Sequence, residues 1–478
     1  MKSIIVNVVP EETRMAIIEN NTLLEFAVER TQSEHVVGNI YKGKVQNVLP
    51  GMQAAFVDIG YDKNAFLYIG DGLPKNAVSS ISHSNVFHVG QNVLIQIVKD
   101  AIGTKGPRAT THLTLPGRYV VLMPTVDYIG VSRRIEDTDE RERLKGIAEK
   151  ICPPDMGMIV RTVAEGQCEE VLKKDMEYLS NLWNALVARD KVSSSPTLVY
   201  RDADLLIRIV RDYLNSDIDE LVIDRHEAYT RVCALLSPNL VKRVKLYKGT
   251  ESIFRHYRIE DELRKLEQRE VELKSGGSIV IDKTEALTVI DVNTGKFVGQ
   301  TNLADTVFRT NMEAAEEITK QIRLRDLGGI IIVDFIDMET EEQRQTILKV
   351  LEDKVKYDKT KTNVVDITAL GLVEMTRKKS RQNFESILYS TCPYCNGRGR
   401  IQSSETVSIH ISRDLRRLSR KKHLSNGYIV QVHPQVKAAF EKSGHIANLE
   451  KEIACKIVLE GVESLHPEVY SILQAPDD

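Results

Sequence analysis

The chain has 478 residues, 42% hydrophobic and 28% charged, and a net charge of −3; at ~150 residues per domain this predicts about three or more globular domains, and any basic surface must be local. No apolar run reaches the ~18 residues of a membrane span, and MKSIIVNVVPEETR turns acidic too soon for a secretion signal. Six cysteines make no disulfide framework, so a cytoplasmic protein without a membrane anchor is expected.

Residues 1–34 alternate as strands do. Ser3 to Val9, Met15 to Glu19 and Leu23 to Val28, broken at Pro10-Glu-Glu and Glu19-Asn-Asn-Thr22, predict a three-stranded meander. So short a piece encloses no core and must pack on something further along. In 35–111, short strands with polar turns predict an OB-type barrel. Phe56 and Phe66 fall on successive strands, with Lys42, Lys44, Lys63 and Lys105 around them. Exposed aromatics between lysines stack single-stranded bases and hold phosphates; the same rings would also serve as barrel core.

Residues 112–200 mix strand and helix. Arg118 to Pro124 reads as a strand, a charged helix begins near Thr138, and Gly157 to Val160 is a strand running into Arg161-Thr162. Gln167 to Ala188 is helical. An arginine beside a hydroxyl suits a phosphate, although a strand-end arginine also makes an ordinary surface ion pair. In 201–270 a helix over Asp202–Leu214, a strand over Asp219–Asp224, a helix from Arg225 to Leu236, the run Lys242–Lys248 and a charged helix near Tyr257–Glu267 are expected. These elements would complete the N-terminal meander as one discontinuous domain.

From 271 to 390 the αβ alternation is clean. Ser278–Asp282 and Ala286–Val292 predict a hairpin; a helix follows over Thr301–Arg325, ending before Gly328-Gly329. A helix capped by Thr340-Glu-Glu-Gln, a strand at Asn363–Thr368 and a helix over Arg377–Tyr389 come next. Two β-branched runs end in aspartate, at Asp291 and at Asp334. A strand, a helix and a strand with a right-handed crossover bring such ends side by side, where α/β sheets bind ligands. Two carboxylates there suit magnesium, which keeps several waters and polarises a phosphodiester. Asn293 points to the same side as Asp291, Gly295 permits a close backbone approach, and Lys296 would balance phosphate charge. Asp337 and Glu374 are further carboxylates, not counted as ligands. Asp-x-Asn-Thr-Gly is also an Asx-turn that closes a strand. The pattern by itself fits a nuclease, a phosphatase or a nucleotide binder.

Cys392-Pro-Tyr-Cys395-Asn-Gly-Arg-Gly399 is spelled as a zinc knuckle, but it supplies only two of four ligands. Two chains sharing one zinc, recruitment of a distant Cys or His, and no metal at all are the three outcomes; the first explains the half-site most economically and implies a dimer. The remainder, with a basic helix over Ser403–Arg420 and the strand from Gly427, is a small αβ piece.

With GNIYKGKVQNVLPGMQAAFVDIG, GVSRRIED, IVRTVAEG, VIDVNTGKFVG, IIIVDFIDM, GLVEMTRKK and CPYCNGRG in that order, essentially the whole chain resembles the ribonuclease E/G family. The resemblance implies a multidomain α/β (α+β) architecture. A ribonuclease-H-like domain (1–34 and 201–270) would carry an inserted OB-fold RNA-binding barrel (35–111) and a 5′-end sensor (112–200). A deoxyribonuclease-I-like catalytic domain (271–390), a zinc-link (391–402) and a small C-terminal domain (403–478) would follow. It implies an endoribonuclease cutting single-stranded stretches of ribosomal RNA precursors and messenger RNA, favouring 5′-monophosphorylated substrates and leaving 5′-phosphate and 3′-hydroxyl ends. Asp291 and Asp334 would hold catalytic magnesium with Asn293 assisting, and Phe56, Phe66 and Lys105 would grip RNA. Gly117, Val121, Arg161 and Thr162 would sense the 5′-phosphate together with Lys361, where a lysine stands for the family's arginine and loses a bidentate grip. Cys392 and Cys395 would share a zinc between two chains, in a homodimer that pairs further into a dimer of dimers. The chain ends soon after its small domain, so a scaffold tail with docking sites is not expected. The rival reading is a non-catalytic RNA-binding or assembly factor on the same scaffold.

Overall fold

The computed structural model describes residues 1–31, 36–72, 87–101, 105–295, 303–368, 370–378, 387–421, 427–442 and 444–475. The chain divides into two compact units, Met1–Ile387 and Leu388–Asp478.

In the first unit, strands Lys2–Val8, Glu12–Glu19 and Thr22–Arg30 form the antiparallel meander. Its missing partner lies far along the chain. Lys2–Val8 pairs in parallel with Glu220–Ile223, Ser3 opposite Glu220, and Val244–Leu246 completes a five-stranded sheet. Ile4, Val6, Met15 and Ile17 pack there with Leu205, Ile209 and Leu221. The expected helix over Asp202–Leu214 is one α-turn, Leu205–Arg208, continued by a π-turn, Ile209–Tyr213.

Between the two halves of that sheet lie two inserted structures. One is a closed five-stranded barrel, consistent with an OB-fold. Ile40–Leu49 pairs with both Ala54–Asp58 and Asn92–Lys99, and Arg108–Thr110 joins Ala65–Tyr68 to Asn92–Lys99. Closure removes the strand edges, and Val45, Val57, Leu67 and Ile95 fill the interior. The other insertion is a four-stranded sheet of Leu115–Pro116, Val120–Met123, Gly157–Val160 and Ile129–Val131. The helices Thr138–Ile151 and Glu169–Val192 share its core.

The last sheet of this unit has six strands, in the order Glu270–Glu272, Ser278–Lys283, Leu287–Asn293, Gly329–Asp334, Leu372–Arg377 and Thr362–Ile367. Helices Leu303–Leu324 and Glu341–Val355 cover one face, where Ile290, Val292, Ile331, Val333, Val373 and Met375 meet Ala314, Ile318, Ile347 and Leu351. Strand alternation sends the intervening residues to the other face. The helix expected over Arg377–Tyr389 does not begin at Arg377, which ends a strand, although Ile387 and Leu388 are helical. Leu372–Arg377 alternates half-buried or exposed with buried residues, a period of two that its polar continuation disguises. Its anchor is Arg377, which is buried and ion-paired with Asp326 and Asp358. Residues 379–386 lie outside the described residues.

In the second unit, Gly427–Val432 is flanked by the parallel strand Lys456–Gly461 and the antiparallel strand Ser471–Gln474. Helices Ser404–Lys421 and Pro434–Lys442 bury Val407, Ile411, Leu415 and Phe440 against it. Among the described residues no helix is long and apolar enough to cross a membrane.

Candidate active site

The crossover that the alternation implied is present. Leu287–Asn293 and Gly329–Asp334 are parallel neighbours, and their register sets Asp291 directly opposite Asp334. Adjacent strands lie ~4.8 Å apart, so the two carboxylates stand side by side at the carboxyl ends of their strands. Both are exposed on the face opposite the helices Leu303–Leu324 and Glu341–Val355. Asn293, two residues on, shares that face, and its Nδ2 donates to Asp291 Oδ2 at 2.9 Å. This bond fixes one carboxylate oxygen of Asp291. Glu374 is exposed opposite Ile332, on the same face and one step back from Asp334.

Two features around the pair were not read from the sequence. Asn311, fully buried on Leu303–Leu324, donates from Nδ2 to Ile336 O at 2.8 Å and accepts from Ile336 N at 3.1 Å. It clamps the chain two residues beyond Asp334. Its signal was an amide within the apolar stripe of that helix, between Val307 and Ala314. Gly295, with φ +56°, faces not a ligand but the chain itself: a Cβ there would sit 2.6 Å from Gly276 O. Lys296 lies outside the described residues.

The donor set is two hard carboxylates and an amide. Among the described residues no group of three or more His, Cys, Asp or Glu is placed to hold a metal ion. A pair fits magnesium, which takes one or two carboxylates and keeps its waters.

On the barrel, Phe56 and Phe66 are cross-strand partners on the outside, half-buried, with ring centroids 5.9 Å apart at 82°. They are not core. Tyr68 continues the same row two residues on, 37% exposed, its hydroxyl donating to Gln53 Oε1 at 2.8 Å. Lys105 is exposed, and Arg108 stands opposite Phe66. Lys42 does not belong to this surface. Its Nζ donates to Asp190 O at 2.6 Å and ties the barrel to the helix Glu169–Val192.

Arg161, Thr162 and Lys361 line one cleft of about 1520 Å³. Arg161 Nη1 donates to Gly117 O at 2.7 Å, and Nη2 to Asp212 Oδ1 at 2.6 Å. Thr162 Oγ1 is 2.8 Å from Ser132 Oγ. Burial pushes the Asp212 carboxyl up, but Arg211 and Arg161 outweigh it and hold it below its ordinary value. Gly117 is therefore gathered to Arg161 through its carbonyl. Val121 is not among the lining residues; it pairs with Ile159 and Pro116 in the sheet. Arg134 crosses from the four-stranded insertion to donate to Asp358 O and Lys359 O, both at 2.8 Å, beside Lys361.

In the second unit, the backbone N–H groups of Cys395 and Tyr394 point at Cys392 and hold its thiol below its ordinary value, as a thiolate ligand requires. The loop turns through positive φ at Asn396, Gly397 and Gly399. His466 Nδ1 accepts from Glu468 N at 3.1 Å, so its Nε2 carries the proton and donates to Tyr394 O at 2.5 Å. Arg398 reaches Glu468 at 2.7 Å. Two preorganised sulfurs fit half of a tetrahedral zinc site.

The chain belongs to the ribonuclease E/G family, whose model matches residues 114–380, with the family's thioredoxin-like domain matching residues 391–475. It is 42% identical to ribonuclease G of Salmonella typhimurium over 97% of both chains, and 43% identical to that of Escherichia coli K12 over 94% of both. It is 35% identical to ribonuclease E of Haemophilus influenzae, covering 100% of this chain and 52% of that one. The protein is an endoribonuclease, and its likeness to ribonuclease G runs end to end.

Proposed function

We propose that the protein is a magnesium-dependent endoribonuclease that cuts single-stranded RNA, in ribosomal RNA precursors and messenger RNA, and favours a 5′-monophosphate. The observation that carries this is the register pairing of Asp291 with Asp334 on an open sheet face, in a chain of the ribonuclease E/G family. The sheet of this site is read as deoxyribonuclease-I-like, and the discontinuous N-terminal sheet as ribonuclease-H-like.

Asp291 and Asp334 would hold the ion, and Asn293 keeps Asp291 in one orientation. Bound magnesium supplies charge stabilisation at the phosphodiester and a water of lowered pKa. Hydrolysis breaks the P–O3′ bond, so the phosphate stays on the downstream 5′ end and the upstream piece ends in a hydroxyl. Phe56 and Phe66 stack bases while Lys105 holds a phosphate. This grip needs unpaired bases, which accounts for single-strand preference. Arg161 and Thr162, with Lys361 on the same cleft, take the 5′-phosphate. Cys392 and Cys395 share a zinc with the same pair of a second chain, giving a homodimer.

Asp291→Asn and Asp334→Asn test the centre. Each is expected to abolish cleavage of a single-stranded oligonucleotide while its affinity, measured by filter binding, is kept. A variant that still cuts at the wild-type rate, or a wild type that cuts equally in EDTA, overturns the reading.

A further inference from the structure

We propose that Asp212 is the positioning residue of the 5′-phosphate pocket, holding the Arg161 guanidinium so that the enzyme distinguishes phosphorylated from hydroxyl ends. The inference rests on the reading of Arg161 and Thr162 as that pocket.

A free arginine side chain samples many rotamers, and ordering it on binding costs affinity. Here the ordering is built in. Gly117 O and Asp212 Oδ1 each take one N–H, from Nη1 and Nη2 respectively. Of the five guanidinium donors, Nε–H and the remaining terminal N–H groups are not taken up among the described residues and would serve a ligand.

Asp212 is itself fixed. Arg211 Nη2 donates to Asp212 Oδ2 at 2.9 Å, Arg211 Nε donates to Oδ1 at 3.1 Å, and Arg211 Nη1 lies 3.5 Å from Asp202 Oδ1. The four groups alternate in sign, Asp202, Arg211, Asp212, Arg161. Asp212 thus spends much of its charge on Arg211 and leaves Arg161 as the cationic end of the row. An isolated carboxylate would instead neutralise Arg161 and compete with a phosphate.

The backbone under Asp212 is also held. It sits in the π-turn Ile209–Tyr213, a geometry often found at functional sites. Arg118 Nη2 donates to Leu214 O at 2.7 Å, and its Nη1 donates to Val210 O. So the Gly117-Arg118 segment grips the turn that carries Asp212, and also supplies the carbonyl that Arg161 touches. Segment, turn and arginine close a ring that joins the sensor sheet to the N-terminal sheet.

The test is kcat/KM on one single-stranded oligonucleotide carrying either a 5′-monophosphate or a 5′-hydroxyl. Asp212→Ala is expected to reduce the phosphate preference about tenfold, the loss of one charge-assisted anchor, through KM. Cleavage of the 5′-hydroxyl substrate should be unchanged. Asp212→Asn, which keeps one acceptor oxygen, should fall between, and it serves if the alanine variant does not fold. An unchanged ratio overturns the proposal, and so does a raised ratio, which would make Asp212 a competitor of phosphate. An equal fall on both substrates would mark a purely structural role and overturn it too. A wild type without preference refutes the pocket reading and this one with it. A preference lost in Arg161→Gln but intact in Asp212→Ala refutes only the role of Asp212.

Discussion

Asp291 and Asp334 show what a single residue's register achieves. Moving either strand by one position would turn its aspartate into the helix-packed core, so the apolar partners Ile290, Val292, Ile331 and Val333 hold the carboxylates on the open face as much as any hydrogen bond does. Asn311 adds the polar fastening. Asn311→Ala removes the side-chain partners of the half-buried Ile336 N–H and C=O, at a cost of about 1 kcal/mol. The expected outcome is a lower urea midpoint, together with a fall in kcat larger than any change in KM. These residues differed in how visible they were. The aspartates end apolar runs, a pattern that stands out in one dimension. Asn311 and Asp212 act on backbone or side chains 25 and 51 residues away, and such pairings appear only when the chain is folded.

Elements with a strong period were legible, and those whose stability comes from outside were not. The hairpin, the capped helix Glu341–Val355 and the barrel strands carry their own signals, in alternation, in a Thr340 side chain accepting from Gln343 N, and in polar turns. Leu372–Arg377 was hidden because its last residue is a buried arginine, whose place depends on Asp326 and Asp358 from elsewhere. The π-turn at Ile209–Tyr213 is likewise set by tertiary contacts. The helix Thr138–Ile151 has a local device with a pH signature. Hydrogen bonds from Arg143 and then from Gly166 N hold the Glu140 carboxyl down at about 2, against an ordinary 4.5. A depressed carboxyl stabilises the folded state in full above pH 4.5, and this contribution fades as the pH falls toward 2. The pair is half-exposed, so less than ~1 kcal/mol is at stake. Urea midpoints of wild type and Glu140→Gln should differ at neutral pH and converge near pH 2.

For the whole molecule, the proposal that reaches beyond one chain is a zinc shared through the two-cysteine loop. Cys392 and Cys395 would provide two of the four ligands of such a site. Zinc removal by chelator, or Cys392→Ser, is expected to halve the native mass seen by light scattering or mass spectrometry. A dimer that survives both treatments without zinc would count against a shared site.

The pairing of Lys2–Val8 with Glu220–Ile223 also bears on how the protein is made. Ser3 and Glu220 are 217 residues apart, and at ~5–20 residues per second a ribosome takes roughly ten to forty seconds to bridge them. During that interval the barrel and the four-stranded inserted sheet have all their own strands and can close. The first strand, with Ile4, Ile5 and Val6 destined for complete burial, must wait with an unpaired edge. The nascent chain is therefore open to wrong pairing at Lys2–Val8, a strand made well before its parallel partner and completed only when that partner arrives.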